Sequence, residues 1–289
     1  MPTRPDLHSA LRRARRRARR WAKRVDARWP AVGAYVRARR RPKTAPPAPA
    51  SPKPSAIAVT DLGPVRTTLE PRLGSIVESV MQEHLSYVGM VGLRTLAQMV
   101  LDVESQGVPG VLIETGAALG GSAIVMTAAK SAERPMRVYD VFGLIPPPGE
   151  RDGEEVHERY ATIASGGSQG LGGETYYGYR ADLMAEVEDA FVRHGLPLAE
   201  NHVDLIKGLF EDTLVVDGPV ALAHLDGDWY DSTMTCLSRI APHLSPGGRL
   251  VIDDYDLWSG CRAAVDEYFT GRPGYRFERR GKLHVVRLP

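Results

Sequence analysis

Four aspartates stand where two strands should end. "LVIDDYD", residues 250–256, runs Leu250, Val251 and Ile252 straight into Asp253 and Asp254. "ALAHLDGDWYDST", residues 221–233, does the same at Asp226 and Asp228. An unbroken apolar run of this kind reads as a strand buried on both faces of a parallel sheet. Charged side chains are seldom buried unless they are paired or hold a metal. Two such strands carrying carboxylates to one edge therefore describe a site, and an all-oxygen donor set suits a hard cation. Plainer readings exist for each: a turn residue at Asp226, caps at Asp253 and Asp254, and a cap for the helix near Ser232 at Asp228.

The elements that must carry these acids alternate. Strands are expected over 110–115, 136–141, 203–208, 220–226 and 249–254, and a closing hairpin is formed by "YRFERR" and "LHVVRL" around "GK". Helices are expected over 72–106, 121–130, 181–195, 231–244 and 260–271, from apolar residues at three- and four-residue spacing. The fold class is α/β: a doubly wound, mostly parallel seven-stranded sheet closed by an antiparallel hairpin. Ligands in such sheets bind outside the carboxyl ends of the strands, near the switch point. Residues 143–180 are rich in Gly and Pro with little periodicity, so a lid or a disordered loop is expected there.

A glycine turn points to the same edge. "ETGAALGGSA", residues 114–123, follows the first of these strands and opens a helix with Gly116, Gly120 and Gly121. The spacing is not G-x-G-x-x-G, which disfavours a nicotinamide dinucleotide, and no phosphate-binding Lys-Ser/Thr pair follows. Asp140 ends the second strand, where an acid commonly holds ribose hydroxyls. A nucleoside cofactor without phosphate fits this pattern, and S-adenosyl-L-methionine is the obvious one.

"GVPGVLIETGAALGGSAI", "GLFEDTL", "LDGDWYDSTM", "SPGGRLVIDDYD" and "GCRAAVDEYF" stand in the order found in the macrocin O-methyltransferase family, which the chain resembles over roughly residues 80–270. The resemblance implies a Rossmann-like methyltransferase fold, S-adenosyl-L-methionine, Mg²⁺ and a sugar hydroxyl as acceptor, on a small molecule or a glycan. It implies Asp226, Asp253 and Asp254 as metal ligands and Asp228 as general base, with ligation of a water by Asp228 as the competing role. Glu114 and Asp140 match cofactor-contact positions, and Gly116 and Ser122 belong to the cofactor turn. Phe210 is expected against adenine and Asp212 near its amino group, a structural role for Asp212 remaining open. Two departures stand out. The family usually has an aromatic residue and an Arg where this chain has Ala117, Ala118 and Leu119. "VYDVFGLIPPP" replaces the family's Asp-Ser-Phe-Glu run after the second strand.

The chemistry explains the residue types. An alcohol is a poor nucleophile at neutral pH, and displacement at a sulfonium methyl requires alkoxide character, a fixed line of approach and loss of one proton. A bound divalent cation supplies the first two, and a carboxylate takes the proton. Trp229 and Tyr230 are candidates for a sugar-site wall or for packing. His224 reads as a satisfied core histidine. His157 or Tyr160 would reach the acceptor only through a lid. Two other activities stay open: methylation of a catechol-like phenol, and a catalytically silent binding module.

Composition limits the setting. With 43% hydrophobic and 25% charged residues the chain is ordinary for a soluble protein. It has no apolar run long enough to span a bilayer and no secretory apolar core. Cys236 and Cys261 make no metal or redox spacing, so a reduced, cytoplasmic setting is expected. The net charge of +2 conceals a division: residues 1–43 hold 16 Lys+Arg against 2 Asp, and the remainder is acidic. Three segments follow: a basic amphipathic or disordered extension over 1–43, a Pro/Ala-rich linker over 44–59, and the methyltransferase domain over 60–289. An anionic membrane surface is one partner expected for the extension, giving a membrane-peripheral location, and nucleic acid the less favoured rival. A second copy of the chain is a further partner left open.

Overall fold

The structure, a computed structural model, describes residues 57–65 and 68–289. The basic extension expected over 1–43 and most of the linker lie outside the described residues.

One eight-stranded sheet carries the molecule. In chain order the strands are β1 Val59–Asp61, β2 Val111–Thr115, β3 Met136–Asp140, β4 Val203–Lys207, β5 Val220–Leu225, β6 Leu244–Ile252, β7 Tyr275–Arg280 and β8 Lys282–Arg287. Their order across the sheet is β1-β7-β8-β6-β5-β2-β3-β4. From β6 through β4 every neighbour is parallel, while β8 runs antiparallel to both β6 and β7. The seven expected strands are all present. The eighth, β1, pairs parallel with β7 through Val59↔Phe277. Three residues are too short a run to show a period of two, so sequence pattern had nothing to register.

The helices are α1 Pro71–Gln82, α2 Met90–Ser105, α3 Gly121–Ala129, α4 Glu154–Ala164, α5 Leu183–Arg193, α6 Phe210–Thr213, α7 Tyr230–Ile240 and α8 Ser259–Phe269. Side chains alternate across each strand, so Leu112 and Val138 meet α1, α2, α3 and α5 on one face, and Ile113, Leu225 and Ile252 meet α7 and α8 on the other. Full burial on both faces explains why these strands read as continuous apolar runs.

Two expectations are corrected. Residues 72–106 form two helices rather than one. Glu83 ends α1, His84 takes a left-handed φ of 54°, and Gly89 caps α2. The apolar period survives the break because both helices bury against the same face. The break frees the Leu85 carbonyl to accept from Gly121 N at 3.0 Å, in the first turn of α3. The stretch 143–180 is not structureless either. It contains α4 and two short 3₁₀ turns, Leu171–Gly173 and Tyr177–Tyr179. Val156, Tyr160 and Ile163 of α4 pack with Leu144, Ile145, Tyr176 and Trp229 in a third cluster. Their helical spacing lay inside Gly- and Pro-rich flanks that hid it.

Candidate active site

The order in which the chain adds strands reverses at β2, whose neighbours are β5 and β3. A crevice opens there at the carboxyl ends. The glycine turn after β2 forms one wall. Gly116 has a φ of 87°, and a Cβ at this position would run into the backbone carbonyl of Asp226. Only glycine allows the turn to lie directly on the acidic loop after β5. That contact is how the glycine turn and the acids come to share one cavity.

The cavity has an empty volume of about 610 Å³, its open mouth included. Gly116, Ala118, Asp140, Phe210, Asp226 and Asp228 are among the residues that line it, as are Tyr177, Trp229 and Glu211. Asp140 is buried and holds the turn: its Oδ2 accepts from Ala117 N at 2.7 Å and Ala118 N at 3.0 Å, and its Oδ1 from Phe142 N at 2.6 Å. Burial raises its pKa, against the lowering by these three N–H groups. The loop over the cavity is tied down. Asp152 accepts from Tyr230 N at 2.8 Å at the start of α7, and Trp229 Nε1 donates to the Pro146 carbonyl at 2.9 Å.

Three carboxylates converge beside this cavity. Asp226, Asp228 and Asp254 each offer an oxygen, all within 4.8 Å of one another. Asp228 N donates to Asp254 Oδ2 at 3.0 Å, with Asp228 in a left-handed φ of 58°. Burial and repulsion from neighbouring carboxylates push Asp226 and Asp228 well above the usual carboxylate range, and burial with the adjacent Asp253 pushes Asp254 up to about 6.

Asp253 sits apart from the trio. Its Oδ2 accepts from Lys282 Nζ at 2.7 Å, and its buried Oδ1 has no hydrogen-bond partner, with His224 Nε2 at 3.6 Å. Burial raises its pKa, but His224 and Lys282 outweigh burial and hold it below the usual range.

The other expected residues are placed as follows. Phe210 and Gly116 line the cavity. Asp212 is exposed on α6 and does not line it, while its neighbour Glu211 does. Ser122 is buried in α3, away from the lining. Glu114 is fully buried under the turn, and its Oε1 bonds His224 Nδ1 at 2.9 Å. His224 is thus a partnered core histidine. Tyr230 packs at the start of α7, whereas Trp229 reaches the cavity. Sequence reading passed over Tyr177, Leu209 and Glu211 in the lining. Tyr177 lies in a run without periodicity, and the other two flank Phe210 at the start of a helix of one turn.

Strands that wind both ways from β2, closed by a reversed hairpin, place the protein among enzymes with the Rossmann-like methyltransferase fold. The family model of macrocin O-methyltransferase (TylF) matches residues 79–272. The chain belongs to that family and is an O-methyltransferase. It is 37% identical over 194 residues to the 8-demethyl-8-(2,3-dimethoxy-α-L-rhamnosyl)-tetracenomycin-C 4'-O-methyltransferase of Streptomyces olivaceus, covering 64% of this chain and 68% of that one. It is 33% identical over 191 residues to the mycinamicin III 3''-O-methyltransferase of Micromonospora griseorubida, covering 63% and 68%. The solved structure of the O-methyltransferase NovP aligns with a TM-score of 0.59 at 26% identity, covering 75% of this chain and 97% of that one.

Proposed function

We propose that the protein transfers a methyl group from S-adenosyl-L-methionine to a sugar hydroxyl of a glycosylated small molecule, with Mg²⁺ bound at the acidic edge. The observation that carries this reading is the close approach of Gly116 to the Asp226 carbonyl, which brings the glycine turn and the carboxylate cluster to one cavity. The relative from Streptomyces olivaceus, which acts on a rhamnosyl-bearing tetracenomycin, supports the acceptor class.

The residues fit both groups. S-adenosyl-L-methionine would supply a methyl group on a positive sulfur. Asp140 and the turn it holds would bind the nucleoside, and Phe210 offers an apolar face for the base. Mg²⁺ would lower the pKa of an acceptor hydroxyl and fix its position. Asp226 and Asp254 would hold the ion from two adjacent strand ends. Asp253, kept ionised by His224 and Lys282, would complete the set through Oδ1, which accepts no hydrogen bond. Asp228 lines the cavity and has a raised pKa, as suits a carboxylate that takes the acceptor's proton. Trp229 and Tyr177 would exclude water from the acceptor.

The second arrangement has Asp228 as the third ligand, which the 4.8 Å convergence of Asp226, Asp228 and Asp254 favours. Matched substitutions at Asp228 and Asp253 separate the two.

The acceptor class is tested with labelled cofactor, a panel of glycosides and a panel of catechols. Label should appear on a sugar hydroxyl. Methylation of catechols alone would overturn the proposal.

The cofactor pocket makes its own prediction. Asp140→Asn keeps one acceptor oxygen but loses the charge. Hydrogen bonds to a charged group contribute about 1.5–3 kcal/mol, so cofactor affinity should fall roughly ten- to a hundredfold. Calorimetry with unchanged affinity would place Asp140 in turn geometry alone.

A further inference from the structure

Beneath the acidic edge runs a line of charges that proton transfer and cofactor binding leave unused. Glu114 on β2 bonds His224 on β5 at 2.9 Å, and His224 faces Asp253 at 3.6 Å. On the far side, Lys282 Nζ donates to Asp253 Oδ2 at 2.7 Å and to the Asp253 carbonyl at 2.9 Å. Lys282 opens β8, which lies beside β6 and delivers the ammonium to the strand end where Asp253 and Asp254 emerge. Its side chain is one-third exposed, at 34%, while that of Asp253 is 12% exposed.

We propose that Lys282 is a built-in counter-cation of this site: it offsets the crowded carboxylates when no divalent ion is bound and lowers the affinity for that ion when one is present. The inference rests on the reading that a divalent cation binds at Asp226 and Asp254. Four neighbouring carboxylates repel one another in a poorly solvated place, and one fixed positive charge at Asp253 relieves part of that repulsion. The same charge must oppose any cation that binds the neighbouring oxygens. Lys282 thus sets both how well the empty site holds its shape and how weakly the ion is held. The double grip on the side chain and main chain of Asp253 keeps the ammonium from swinging into solvent.

Lys282→Met removes the charge and keeps the stem, and Lys282→Arg keeps the charge. Thermal unfolding of the full chain in EDTA, and calorimetric titration with Mg²⁺ without acceptor or cofactor, read the two effects separately. Lys282→Met should unfold a few degrees lower in EDTA, about 2–6 °C. It should bind Mg²⁺ more tightly, by roughly ten- to thirtyfold. Lys282→Arg should stay within about threefold of the parent affinity. A merely structural lysine would lower stability without tightening the ion. Unchanged or weaker Mg²⁺ binding in Lys282→Met would therefore overturn the proposal. If the parent protein itself gives no Mg²⁺ signal, the cation reading fails and the counter-cation role falls with it.

Discussion

Stripping divalent cations with EDTA should abolish turnover, and Mg²⁺ should restore it. Asp226→Ala and Asp254→Ala should each lower turnover by about a thousandfold or more, the scale on which electrostatic stabilisation of a developing oxyanion is lost. Loss of fold is the competing explanation, and the electrostatics separate it. Burial and Asp253 raise the pKa of Asp254, and burial and Asp254 raise that of Asp226, so each ionised carboxylate is destabilising without a cation. Asp254→Asn removes one of those charges and keeps an oxygen for Asp228 N. In EDTA that variant should unfold no lower than the parent, while its activity is lost with Mg²⁺ in excess. A large drop in unfolding temperature would assign Asp254 to structure. Full activity in EDTA would end the metal mechanism.

The acids were legible in the sequence because charge at the end of an apolar run is a local signal. Asp226 and Asp253 each sit one residue beyond a buried strand, and the structure pairs those strands through Leu225↔Ile252. The glycine turn was legible for the same reason, since Gly116 follows Thr115 at the strand end. What the sequence could not give is the partner of each charge. Lys282 meets Asp253 across 29 residues, and Glu114 meets His224 across 110. Those distances close only through the strand order, which places β8 beside β6 and β2 beside β5. Side-chain direction was equally out of reach. Four aspartates at one edge suggest a shared ion, but which of them turns inward depends on the twist of two loops. One of those loops puts Asp228 at a positive φ, which pattern alone does not reveal.

That direction decides the final test. Asp228→Asn should lower turnover by about a hundred- to ten-thousandfold, the usual contribution of a positioned general base. If Asp228 is the base, calorimetric Mg²⁺ affinity should stay within about threefold, because Asp226, Asp253 and Asp254 keep their oxygens. Asp253→Asn should then weaken Mg²⁺ by tenfold or more. If Asp228 is instead the third ligand, the two affinities exchange: Asp228→Asn weakens the ion and Asp253→Asn leaves it nearly unchanged. The structure supplies a reason for each. The convergence within 4.8 Å argues for ligation by Asp228. Its place in the cavity lining, and the low pKa that Lys282 and His224 impose on Asp253 against burial, argue for proton transfer. The substitutions decide between them, because burial and neighbouring carboxylates raise Asp226 as well as Asp228, so a raised pKa alone does not mark the base. Near-normal turnover in Asp228→Asn would remove it from both roles and leave its left-handed turn as a purely structural feature.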